Sequence, residues 1–296
     1  MSKRDCKKRN IWKLGLAGGL LLVLISCGMI FYSILEYRKS NELYEETAQE
    51  YVTIQEDRSA EESEQNWWEL AEVDLAGLSA GYPDVVGWIF FENEDISYPI
   101  LYSGDNDKYL RRTYTGEAAS AGSIFLDGES TPDFSDPHTL IYGHNMRNLS
   151  MFGKLKYYRT RDGYYENHQY FQIFTGNRVY RYRIFAYEEV PVYHEIYDVY
   201  GAQPQGFPEL IESLKQNSYG QTEVAVDASD HVITLSTCSG GNTRMVVSGV
   251  RVDAFNELLY GGDEVIEATG HRKVDRSTAV YLSDRPPYRY AQKEGT

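Results

Sequence analysis

The chain of 296 residues holds three cysteines, and Cys238 is the only one beyond the first thirty residues. Cys6 and Cys27 both lie near the N-terminus, so a disulfide framework is excluded from the main body. Basic charge is scarce there too. Six of the 29 Lys and Arg residues fall in positions 1–13, whereas 43 of the 44 Asp and Glu residues come later. The rest of the chain carries a net charge of −20, which argues against a broad nucleic-acid-binding surface. Internal repeats and regular strand–helix alternation are absent. The last forty or so residues contain no second apolar run, so no C-terminal membrane anchor is expected.

What is present begins with Lys3, Arg4, Lys7, Lys8, Arg9 and Lys13, followed by 22 uncharged residues from Leu14 to Leu35. That length crosses a hydrocarbon core of about 30 Å. Basic residues on the short side predict a cytoplasmic N-terminus and an extracellular remainder. A cleaved signal, or lipidation at Cys27 within Leu24-Ile25-Ser26-Cys27, are the alternatives. The apolar run continues through Gly28-Met29-Ile30-Phe31, which favours an uncleaved single-pass anchor in the cell membrane.

The expected organisation is a basic tail (1–13), a transmembrane signal anchor (14–35), an acidic helical stalk or linker (36–66), a globular domain (67–254) and a polar, flexible tail (255–296). Trp67 to Leu78 suits a short helix ended by Gly81-Tyr82-Pro83. Short runs rich in Val, Ile, Tyr and Phe then read as strands: 85–91, 96–101, 123–127, 139–144, 170–175, 179–190, 224–226, 232–238 and 245–252. Eight or nine such strands without βα alternation predict a mainly β fold, a closed barrel with helical insertions. The clearest insertions are 150–158 and 207–218; in the latter Leu210, Ile211 and Leu214 form an apolar stripe and Pro208 suits the first turn.

Period-two geometry along His231–Cys238 puts Val232, Thr234, Ser236 and Cys238 on one face and Ile233, Leu235 and Thr237 on the other. Ser239-Gly240-Gly241-Asn242 then turns the chain, and Arg244 opens the next strand. A hairpin could return this guanidinium to the thiol, where it would stabilise a developing oxyanion. An apolar strand, Thr139-Leu-Ile-Tyr-Gly, delivers His144, which can exchange a proton near neutral pH. Each residue alone has a bland reading: a small buried thiol, an edge charge, a backbone-bonded His. Together they are the groups that acyl transfer to sulfur requires.

Thr234-Leu-Ser-Thr-Cys238 with Arg244 resembles the T-L-x-T-C…R signature of sortases, and Tyr142-Gly-His144-Asn-Met resembles their histidine strand. Pro83-Asp-Val-Val-Gly-Trp-Ile89, Tyr98-Pro-Ile100, Asp105-Asn-Asp-Lys-Tyr-Leu110, Ala121-Gly-Ser-Ile-Phe-Leu-Asp127 and Ser150-Met-Phe-Gly-Lys-Leu155 follow in the order seen in class B. The resemblance spans about 67–253. It implies an eight-stranded sortase β-barrel with N-terminal helices and a helix between the sixth and seventh strands.

It further implies a cysteine transpeptidase with no cofactor and no metal. Cys238 would be the nucleophile, His144 the acid/base and Arg244 the oxyanion stabiliser. Tyr142, Ser236, Thr237, Asn106 and Leu110 would line the substrate groove. The implied partners are surface proteins bearing an L-P-x-T-G or N-P-x-T-N sorting signal, cut after Thr, and an amine from lipid II or peptidoglycan. A pilin lysine is the alternative amine, and a non-catalytic wall-binding module the alternative class. A papain-like hydrolase fails because there the Cys precedes the His. Two departures from the family pattern stand out. Ser239-Gly240-Gly241, just after Cys238, holds no acidic residue, and the Cys238-to-Arg244 spacing is short, which leaves Arg251 as a second candidate for the arginine role.

Overall fold

The computed structural model describes residues 3–55, 64–176, 178–199, 201 and 205–256. Two units are distinguished, residues 1–43 and 44–296. Helix α1 (Lys3–Tyr51) forms all of the first unit that is described. Leu20, Leu24 and Phe31 are exposed on it, and from Gly18 the helix is long and apolar enough to cross a membrane.

In the second unit, the last turns of α1 are packed rather than free. Tyr44 donates its hydroxyl to the Gly122 carbonyl at 2.8 Å, and Thr47 shares a 2.8 Å hydrogen bond with Tyr114. The acidic segment read as a stalk is therefore part of the folded body at its end, because Tyr44 and Thr47 bury their side chains there. Strand β1 (Val52–Ile54) then pairs antiparallel with β2 (Ala71–Val73). The helix expected from Trp67 is split. A 3-10 turn covers Trp67–Glu69, β2 follows, and α2 (Leu75–Gly81) starts only after Asp74, whose side chain accepts from the Gly77 N–H. Residues 56–63 and the tail beyond Asn256 lie outside the described residues.

The barrel is built from β3 (Val85–Phe91), β4 (Ser97–Leu101), β5 (Ile124–Leu126), β6 (His138–Tyr142), β7 (Tyr170–Phe174), β8 (Arg178–Pro191), β9 (Val232–Gly240) and β10 (Thr243–Asn256). It closes in the order β10-β8-β7-β3-β4-β5-β6-β9, with β9 paired back to β10. The β4–β5 and β6–β9 pairs are parallel and the others antiparallel. The expected eight-stranded barrel with N-terminal helices is the observed fold.

Two short helices, α3 (Tyr157–Thr160) and α4 (Tyr164–Asn167), connect β6 to β7. Helix α5 (Phe207–Asn217) lies between the sixth and seventh barrel strands, as expected. Its Phe207, Leu210, Ile211 and Leu214 pack against Leu140 of β6, Val232 of β9, Val246 of β10 and Val190 of β8.

Two expected elements are absent among the described residues. Val224–Val226 makes no ladder; Val224 and Val226 are buried in the α5 cluster instead. The stretch 150–156 is a series of turns, since Leu149 and Met151 adopt positive φ. The Met151 N–H bonds the Tyr98 hydroxyl and the Phe152 N–H bonds the His144 carbonyl, so this segment folds back along the histidine loop.

Candidate active site

One sheet face carries both the α5 core and the site. The register of β6, β9, β10 and β8 aligns Tyr142 with Ser236, Cys238 with Arg244, and Arg244 with Val190. Helix α5 covers one end of this face with apolar residues. Beyond the helix the same face becomes the floor of an open cleft of about 460 Å³, lined by Tyr142, His144, Cys238 and Arg244 with Asn106, Asp107, Leu110, Phe125, Asp127, Val192 and Tyr197.

Cys238 is the first exposed residue of β9 after six buried ones. Partnered residues of an antiparallel pair share a face, so the short hairpin sets Arg244 beside the thiol. Its guanidinium carbon lies 5.8 Å from both the Tyr142 and the Tyr197 rings. Two aromatic faces at that distance suit a cation and restrict its rotamers. Arg251 is at the other end of β10, over the Tyr180 ring, and takes no part in the cleft.

His144 stands just past β6. Gly143 carries the turn because a Cβ there would come within 2.4 Å of the Ile124 side chain and 2.6 Å of Phe152. The imidazole Nε2 donates to the Leu110 carbonyl at 2.6 Å. A carbonyl only accepts, so Nε2 carries the proton and Nδ1 is the nitrogen left for chemistry. The next residue, Asn145, donates its amide to the Cys238 carbonyl at 2.7 Å and ties the histidine loop to the nucleophile strand.

Asn106 is held from both ends: its amide donates to Asp127 at 2.9 Å and its oxygen accepts from the Gly128 N–H. Asp127 also receives the Tyr142 hydroxyl at 3.0 Å. Burial, reinforced by the Asp127 charge, pushes the Tyr142 phenol well above its ordinary range, so it stays a donor. Ser236 and Thr237 do not line the cleft. Ser236 is buried beneath Tyr197, with which it shares a 2.9 Å hydrogen bond. Thr237 is fully buried on the opposite face, because alternate residues of a strand point to opposite sides. Any contact it makes with a substrate comes from its backbone.

Sequence reading missed Tyr197, Asp127 and Val192 as cleft residues, and Asn145 as the tie between the histidine loop and the nucleophile strand. Asn145 and Asp127 stood inside the motifs used above, whereas Tyr197 and Val192 come from a connection whose path only the fold reveals.

The sortase domain family model matches residues 92–252. A curated sortase B of Listeria monocytogenes is 37% identical over 180 residues, 60% of this chain and 73% of that protein. Among solved structures, the sortase B of B. anthracis in complex with AAEK1 superposes with a TM-score of 0.61 at 26% identity, covering 74% of this chain and 99% of the other. A sortase B complexed with triglycine gives a TM-score of 0.55 at 25% identity, covering 61% and 85%. Such agreement in sequence, barrel topology and strand order, over more than half of the chain, leaves one assignment: the chain belongs to the sortase family of cysteine transpeptidases and resembles its class B members.

Proposed function

We propose that Cys238, His144 and Arg244 carry the transpeptidase reaction. The observation that supports this most is the β9–β10 register, which sets Arg244 directly across from the exposed Cys238 in the cleft that His144 also lines. The reactive form pairs the Cys238 thiolate with a His144 imidazolium protonated on both nitrogens, and the thiolate attacks the Thr carbonyl of a sorting signal of L-P-x-T-G or N-P-x-T-N type. Arg244 stabilises the oxyanion. As the C–N bond breaks, His144 gives a proton from Nδ1 to the leaving amine, and a thioester remains on Cys238. An incoming amine then attacks the thioester, losing its proton to His144 and releasing the sulfur.

Asn106, Leu110 and Tyr142, with Tyr197 and Val192, line the same cleft and are the residues we propose to contact the sorting signal. The amine we propose is a short peptide of the wall precursor, in keeping with the sortase B structure complexed with triglycine. Helix α1 serves as a single-pass anchor, with the N-terminus in the cytoplasm and the barrel outside; the six basic residues before the apolar run support this orientation.

The test uses the full-length chain in detergent, a library of sorting-signal peptides, and triglycine or a lysine peptide as amine. A transpeptidation product with triglycine, and none from Cys238→Ala, is the expected outcome. Undiminished activity of Cys238→Ala would remove the nucleophile assignment. Preference for the lysine peptide would favour pilin assembly, and lack of a thioester with every peptide would favour the binding-module reading.

A further inference from the structure

The two residues that flank the nucleophile–arginine pair, Ser239 and Thr243, are bonded to a single carboxylate that no motif singled out. Glu189 of β8 accepts the Ser239 hydroxyl at 2.6 Å and the Thr243 hydroxyl at 2.5 Å, both on Oε1. Ser239 and Thr243 also lie 2.9 Å from each other. The second oxygen of Glu189 receives Nη1 of Arg159, an ion pair from α3. The register explains why these groups meet. Met245 pairs with both Glu189 and Thr237, so Glu189, Ser239 and Thr243 occupy the face opposite Cys238 and Arg244.

The hairpin needs such an anchor. Gly240 and Gly241 have φ of +126° and +57°, and a Cβ on either would meet open space, so packing does not fix the tip. The ladder also shifts between Thr243 and Arg244: Gly240 pairs with Thr243 and Cys238 with Arg244, which leaves Ser239 as the extra residue of a bulge. A bulge re-aims the side chains beside it, and its unpaired residue is the place where register can slip. A slip of one residue would turn Arg244 away from the thiol.

We propose that Glu189 is a positioning residue for transpeptidation: by clamping Ser239 and Thr243 it locks the bulge that keeps Cys238 and Arg244 side by side on the cleft face. Here the carboxylate sits behind the hairpin and acts through geometry, with no contact to substrate. The inference rests on the roles proposed above for Cys238 and Arg244.

The test measures thioester formation and transpeptidation by the full-length chain carrying Cys6→Ser and Cys27→Ser, so that a thiol-alkylating reagent titrates Cys238 alone and the rates are normalised to active sites. Glu189→Ala is expected to lower kcat about ten-fold or more with KM changed less than about two-fold, since small misplacements of reacting groups cost this much. Glu189→Gln keeps an acceptor oxygen for both hydroxyls and is expected to stay within about three-fold of the wild type. The pair Ser239→Ala/Thr243→Val should be as slow as Glu189→Ala, and combining all three should add nothing further.

Should Glu189→Ala fail to fold, the hydroxyl pair carries the same test with the Arg159 ion pair intact. Wild-type kcat in Glu189→Ala or in the hydroxyl pair would overturn the proposal, as would losses that add. Activity retained in Cys238→Ala would instead overturn the reaction scheme beneath it, so the two failures are told apart.

Discussion

His144 donates from Nε2 to the backbone carbonyl of Leu110 at 2.6 Å, so a main-chain group fixes which imidazole nitrogen faces the chemistry. Gly122 packs closely against that carbonyl. A Cβ on Gly122, whose φ is +58°, would come within 2.6 Å of the Leu110 oxygen. Gly122→Ala is expected to displace the carbonyl and lower kcat about ten-fold or more. In nitrogen NMR spectra recorded at alkaline pH, wild-type His144 should appear as the Nε2–H tautomer and the variant as a mixture. A wild-type Nδ1–H tautomer would refute the arrangement.

Arg244 sits between two tyrosine rings and its fork has five donors. Arg244→Ala should lower kcat by about 10²–10³, the usual cost of losing an oxyanion donor. Arg244→Lys keeps the charge without the planar fork, and an intermediate rate is expected. Single-turnover acylation of Cys238 is the measurement, and equal rates for Ala and Lys would show that charge is irrelevant.

A buried ion pair holds the barrel away from the cleft. Arg181 of β8 makes two 2.8 Å bonds to Glu92, and Glu92 also accepts the Gln172 amide at 3.0 Å. Arg181→Met leaves the carboxylate buried and unpaired, which should destabilise the fold by about 3–5 kcal/mol. Urea unfolding checks this; transpeptidase activity of the folded protein should change little.

Stability against pH carries two opposed contributions. His138 is fully buried, its Nδ1 bonded to the Val199 carbonyl and its Nε2 to the Thr234 hydroxyl, and burial lowers its pKa to about 4. Its neutral form stabilises the fold above pH 6.5, and this contribution of about 3 kcal/mol is lost as pH falls from 6.5 to 4. Glu188 runs the other way. Burial pushes its carboxyl up to about 7, and Oε1 has no hydrogen-bond partner among the described residues. Stability from this group is gained as pH falls from 7 toward 4.5. Glu188→Gln should therefore gain on the wild type with rising pH in urea titrations between 4.5 and 7. The difference between wild type and His138→Gln should shrink below pH 6.5. A flat difference in either comparison would sink the corresponding assignment.

Tyr44→Phe removes a buried hydroxyl that donates to Gly122 and meets Ser123 at 3.0 Å. A loss of about 1–3 kcal/mol is expected for the polar groups left unpaired, read as a lower unfolding midpoint.

Elements with a local signal were legible in the amino-acid order alone. Strand β9 showed its alternation, the apolar run Thr139-Leu-Ile-Tyr-Gly marked the strand that delivers His144, and Pro208 with Leu210, Ile211 and Leu214 marked α5. Cys238, His144 and Arg244 stood out because their neighbours form recurring motifs. Long-range pairing controlled the rest, and it became visible only in three dimensions. The segment 150–156 has helical spacing yet forms turns, since Tyr98 and His144 capture its backbone. Val224–Val226 has strand composition yet no partner strand among the described residues. Tyr197 and Glu189 have ordinary local sequence; their roles arise where segments distant in sequence meet, which one-dimensional spacing does not encode. The short span from Cys238 to Arg244, doubtful as a spacing, became a direct pair once the bulge at Ser239 set the register.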